Sequence, residues 1–114
     1  MIRLKLPYPP TVNTYWRVFR GRPIISRRGR EYRAEVCATI GRMEPMEGSL
    51  RVTIEMHPPD RRRRDVDNVL KAALDAMAHG GVYEDDSQIA ELHIGRHPVI
   101  KGGRLMVLVE EMPG

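Results

Sequence analysis

A chain of 114 residues with 41% apolar side chains can form one domain with its own core and has no room for two. Nineteen Lys plus Arg against fifteen Asp plus Glu leave a charge of +4, and arginine outnumbers lysine 16 to 3, which favours bidentate phosphate recognition and makes nucleic acid the expected partner. The single cysteine excludes an intramolecular disulfide. No signal peptide and no apolar run of about 18 residues is present, so no membrane association and a cytoplasmic location are expected.

In chain order, Ile2, Leu4 and Leu6 alternate with Arg3 and Lys5, a half-buried strand that Pro7, Pro9 and Pro10 end. Thr11 to Arg17 reads as irregular, with Tyr15 and Trp16 either stacking on nucleic acid or packing on the core. Gly21 and Arg22 to Ser26 suggest a turn and a short strand. A helix is predicted from Ser26 or Arg27 to about Arg42, because Tyr32, Val36 and Ile40 recur at every fourth position. Cys37 lies on it as a small hydrophobe. Leu50, Val52, Ile54 and Met56 alternate with Arg51, Thr53 and Glu55 in a clear strand that His57-Pro58-Pro59 stops. A second helix is predicted from Asp65 to Asp67 onward, its stripe formed by Val66, Val69, Leu70, Ala73, Leu74 and Met77 and its end by Gly80-Gly81. Ile89 to His97 reads as a strand whose imperfect alternation suggests a bulge. Lys101-Gly102-Gly103 reads as a hairpin turn into a last strand, Arg104 to Glu111. The expected architecture is α+β: a single small domain, a mixed β-sheet with two packed helices.

The chemistry concentrates in Asp60-Arg61-Arg62-Arg63-Arg64-Asp65-Val66-Asp67-Asn68, with Lys71 one turn on and Asp85-Asp86 about twenty residues later. Arginines hold phosphates, and clustered carboxylates hold Mg²⁺ or Mn²⁺. With Asp65 before the helix and Asp67 opening it, both carboxylates can turn toward one point; a bound cation removes the penalty of their like charges. Lys71, four residues after Asp67, reaches the same place, and Asp85 or Asp86 supplies a third carboxylate. The plainer alternatives are a solvated charge run, helix-capping aspartates and an i, i+4 salt bridge worth about 0.3–0.5 kcal/mol. His57, His79, His93 and His97 lack any zinc-ligand spacing and read as surface or strand histidines.

These blocks resemble the RusA family of Holliday junction resolvases across nearly the whole chain. The resemblance runs through Pro9-Pro10-Thr11-Val12-Asn13 with Tyr15 and Arg17, the central run to Asn68 with Lys71-Ala72-Ala73, Asp85-Asp86-Ser87-Gln88-Ile89, and Lys101-Gly102-Gly103-Arg104-Leu105. It implies one endonuclease domain over 1–114, acting as a homodimer on four-way junction DNA with Mg²⁺ or Mn²⁺ and serving recombination and repair, often in phages and prophages. It further implies that Asp65, Asp67 and Asp86 are catalytic metal ligands, that Lys71 is a catalytic lysine, and that Arg64 belongs to the basic run used at DNA. Arg61, Arg62 and Arg63, with Asn13 and Arg17, complete the expected DNA-binding set. Thr11 stands where serine is commoner. The rival expectations are a non-catalytic DNA-binding module and a nuclease for flaps or duplex DNA.

Overall fold

The computed structural model describes residues 1–113. Its elements are β1 (Ile2–Leu6), α1 (Val12–Tyr15), β2 (Trp16–Phe19), β3 (Arg22–Ile25), α2 (Arg27–Ile40), β4 (Leu50–His57), a 3₁₀ turn (Val66–Val69) running into α3 (Leu70–His79), a second 3₁₀ turn (Asp86–Gln88), β5 (Ile89–Arg96) and β6 (Arg104–Glu111). Among the described residues, no helix is long and apolar enough to cross a membrane.

The alternating strands form a mixed sheet ordered β1-β6-β4-β5, in which β6 is antiparallel to β1 and β4, and β5 is parallel to β4. The pleat sends Leu4, Leu6, Leu50, Val52, Ile54, Met56, Leu105, Val107 and Val109 to one face, where all are buried. Each such side chain contributes about 1.5–3 kcal/mol. Tyr32 and Val36 of α2 and Ala72, Ala73, Ala76 and Met77 of α3 complete that core. The opposite face, bearing Arg3, Lys5, Thr53, Glu55 and Met106, stays open.

Two expectations are corrected. Lys101-Gly102-Gly103 is not a hairpin, because β4 lies between β5 and β6; the connection crosses the end of β4 instead. His97 N–H donates to Met56 O at 2.8 Å and Ile100 N–H to Pro58 O at 3.0 Å along that crossing. Gly103 has φ +76, and a Cβ there would lie 2.7 Å from Tyr8 Cβ, so the glycine is required for the turn itself. The segment from Thr11 to Ser26 is also more ordered than expected: α1 is one helical turn, and β2 and β3 form a separate antiparallel hairpin. Turn residue Arg20, at φ 52, and Gly21, at φ 75, allow the hairpin to close. The expected bulge is present, since pairing steps from Leu50 opposite Ile89 to Arg51 opposite Glu91 and skips Ala90.

Candidate active site

The arginine run leaves β4 at Pro58-Pro59 and is folded by its own charges. Asp60 takes both Arg64 guanidinium nitrogens, at 2.5 and 3.1 Å, and the Arg62 backbone N–H at 2.9 Å. The Arg64 hydrogen bond, then that of the Arg62 amide, hold the Asp60 carboxyl down at about 2. Arg96, at the end of β5, donates to the Arg64 carbonyl and fixes the loop to the sheet. Arg64 is thus engaged within the protein, with its side chain 22% exposed, whereas Arg61, Arg62 and Arg63 are exposed. All four line one cleft of about 440 Å³ with Arg96 and His97.

Asp65 follows in extended backbone as the residue before the 3₁₀ turn, and Asp67 lies in that turn. Two of the plain alternatives, the capping aspartate and the i, i+4 salt bridge, do not hold here. Asp65 makes no side-chain capping hydrogen bond. Among the described residues, neither Asp67 nor Lys71 takes part in an ion pair, so their i, i+4 spacing has not produced a salt bridge. Asp65, Asp67, Lys71 and Asp86 are all exposed.

The Asp85–Gln88 loop carries two exposed carboxylates. Asp85 accepts the Ser87 hydroxyl at 2.7 Å, which depresses its pKa first of all. Asp86 makes no ion pair among the described residues. Gln88 fixes the loop: its carbonyl accepts the Glu84 and Asp85 amides, and its Nε2 donates to Met46 O at 3.0 Å and Gly48 O at 3.1 Å. The side chains of Asp65, Asp67 and Asp86 are not gathered within one ligand shell; among the described residues only Glu55, His57 and His97 are that close. The donor set itself, three carboxylates free of cations, suits an oxygen-seeking ion such as Mg²⁺ or Mn²⁺.

Asn13, Arg17 and Lys71 do come together, lining a cleft of about 650 Å³ with Val12, Trp16, Val18 and Pro23. A polar knot that the sequence did not disclose holds this arrangement. Tyr15 is fully buried, and its hydroxyl donates to Asp75 of α3; Arg33 Nε of α2 donates to Asp75 at 2.8 Å and to the Tyr15 oxygen at 3.2 Å. Burial, then the Asp75 bond, push the Tyr15 hydroxyl far above the ordinary phenol range. Ser26 caps α2 by accepting Gly29 N–H at 3.0 Å and donates to Thr14 O at 2.5 Å. Tyr15 is therefore a core residue and not a stacking platform. Trp16 packs on it edge-on, with centroids 5.2 Å apart. The exposed aromatic is Phe19, near the hairpin tip, with Arg17 and Arg20 over its ring.

The sequence profile of the family described as Endodeoxyribonuclease RusA matches residues 7–110. The chain is 42% identical over 112 residues to the crossover junction endodeoxyribonuclease RusA of Escherichia coli strain K12, covering 96% of this chain and 93% of that protein. It is 43% identical over 112 residues to the enzyme of the same name from Enterobacteria phage 82, with the same coverage. To that from Enterobacteria phage HK97 it is 39% identical over 110 residues, covering 94% of this chain and 92% of the other.

Proposed function

The chain belongs to the RusA endodeoxyribonuclease family, and we propose on that footing how its residues divide the work of cutting a four-way DNA junction. Its activity is that of a crossover junction endodeoxyribonuclease, a nuclease that hydrolyses DNA phosphodiester bonds and resolves Holliday junctions. The observation that carries the assignment of roles is that Asp65, Asp67, Lys71 and Asp86 are all exposed and, among the described residues, take part in no ion pair.

Arg61, Arg62 and Arg63 hold backbone phosphates in the arginine cleft, and Asn13 and Arg17 hold them in the cleft they share with Lys71. Arg64 shapes that surface through Asp60. Lys71 places an ammonium where charge develops on the reacting phosphate. Asp65, Asp67 and Asp86 would hold Mg²⁺ or Mn²⁺, which when bound neutralises phosphate charge and makes water a competent nucleophile at neutral pH. A four-way junction has approximate two-fold symmetry, so two cuts in opposing strands call for two copies of this site. A C₂ homodimer presents them with the symmetry of the substrate.

The test incubates the protein with Mg²⁺ and matched four-way, three-way, flap and duplex DNA, mapping products strand by strand. Paired, ligatable nicks on the four-way substrate, abolished by EDTA, are expected. Equal cutting of linear duplex by a monomer would remove the junction assignment, and metal-independent cutting would remove the roles given to the aspartates.

A further inference from the structure

A second set of ligands sits at the end of β4, on the sheet face that the helices leave open. Glu55 and His57 are two residues apart on one strand, so they share that face. His97 follows β5, the parallel neighbour, and its amide is tied to the Met56 carbonyl between them at 2.8 Å. The fold thus brings two imidazoles and a carboxylate to one point from positions 40 residues apart.

The geometry is that of ligands around a gap. Glu55 Oε1 lies 3.6 Å from His57 Nε2 and 3.7 Å from His97 Nδ1, and one donor atom of each residue lies within 4.8 Å of the other two. Those contacts are too long to be hydrogen bonds. Ligands of a tetrahedral zinc, bound at about 2.0–2.1 Å, stand about 3.3 Å from one another, so small side-chain rotations close the set. His57 is already oriented for it. Its Nδ1 lies 2.8 Å from the Pro98 carbonyl, which can only accept, so Nδ1 is the donor there and Nε2, on the side of Glu55, is the nitrogen left to serve as a ligand. A backbone carbonyl on the far nitrogen is the usual outer support of a metal-binding histidine. The His57 side chain is 13% exposed, so its orientation is also held by packing.

We propose that Glu55, His57 and His97 bind one divalent transition ion of borderline softness, such as Zn²⁺, leaving coordination positions to water. Two imidazoles and one carboxylate favour such ions over Mg²⁺, so this site differs in kind from the aspartates. The ion clamps the end of β4 to the loop between β5 and β6. The arginine cleft is built from the same two segments, since His97 shares its lining with Arg61 to Arg64. Loading the site stiffens that cleft.

The experiment titrates the full-length, EDTA-stripped protein with Zn²⁺ against a chromophoric chelator, and with Co²⁺ by visible absorption. One ion per chain is expected, bound at least about tenfold more weakly by His97→Asn and by Glu55→Gln and unchanged in Asp67→Asn. Both surface variants should melt with the wild type in EDTA, which separates lost ligation from lost folding. Absence of Zn²⁺ binding at micromolar concentrations, or an affinity indifferent to His97→Asn and Glu55→Gln, would overturn the site. So would an affinity that falls with Asp67→Asn, because the ion would then be held by the aspartates.

Discussion

Arginine and aspartate occur together in two regions of this molecule and behave in opposite ways. In the knot between α1, α2 and α3, Arg33, Asp75 and the Tyr15 hydroxyl satisfy one another, and Arg33 and Asp75 are only 23% and 28% exposed. In the stretch from Asp60 to Lys71, Asp60 is paired closely with Arg64 and more loosely with Arg62, and Asp65, Asp67 and Lys71 are left exposed without an ionic partner among the described residues. Matched charges fix geometry and are unavailable for chemistry. Exposed carboxylates without a cationic partner keep their lone pairs available to a ligand, which is the role proposed above for Asp65 and Asp67. Within the arginine run the same division recurs residue by residue: Arg64 is tied to Asp60, and Arg61 and Arg63 are exposed, as their proposed contact with phosphates requires.

The largest effect that sharpens this comparison is expected at Asp67. Asp67→Asn keeps size and exposure but removes charge. Junction cleavage should fall by more than about 100-fold, beyond the loss seen for groups that merely support a ligand, while gel-shift affinity is retained. Near wild-type cleavage would remove Asp67 from the ligand set. The converse substitution, Asp75→Ala, should leave unfolding and not chemistry as the readout. It strands Arg33 and the Tyr15 hydroxyl and should cost about 2–3 kcal/mol in urea melts, less than the 3–5 kcal/mol of a fully buried pair because part of each side chain is wet. Cleavage lost at unchanged stability would instead place Asp75 at the reaction.

Smaller effects divide the arginines. Replacing both Arg61 and Arg63 by Gln should flatten the salt dependence of junction binding by about two phosphate contacts' worth, with no change in melting temperature. Arg64→Gln should lower melting temperature and move the salt slope less. Equal slopes for the two variants would dissolve the distinction between structural and DNA-facing arginines. The smallest effect is a pH dependence. Asp60 has its folded pKa depressed to about 2, so its contribution to stability is present above the ordinary carboxylate range and is lost as pH falls from about 4 toward 2. Acid titration of stability should show this component in the wild type, and Arg64→Gln should shrink it.

Periodicity alone located both main helices, the long strands and the bulge in β5, because alternation of period two and stripes of period 3.6 are local consequences of burial on one face. The same local reading singled out Asp65, Asp67, Lys71 and Asp86, since charge density, spacing and resemblance to one family are properties of the linear chain. Pairing was not local. The placement of β4 between β5 and β6, the burial of Tyr15, and the capture of Arg33 by Asp75 across 42 residues depend on which surfaces pack. Asn13 on α1 and Arg17 on β2 come to line one cleft with Lys71 only in the folded chain. His57 and His97, unremarkable at a spacing of 40, meet because parallel strands bring distant residues into register. The sequence determined which charges exist and which faces are apolar. Tertiary structure decided which charges were neutralised by neighbours, because ion pairing acts over a few ångströms of space and takes no account of distance along the chain.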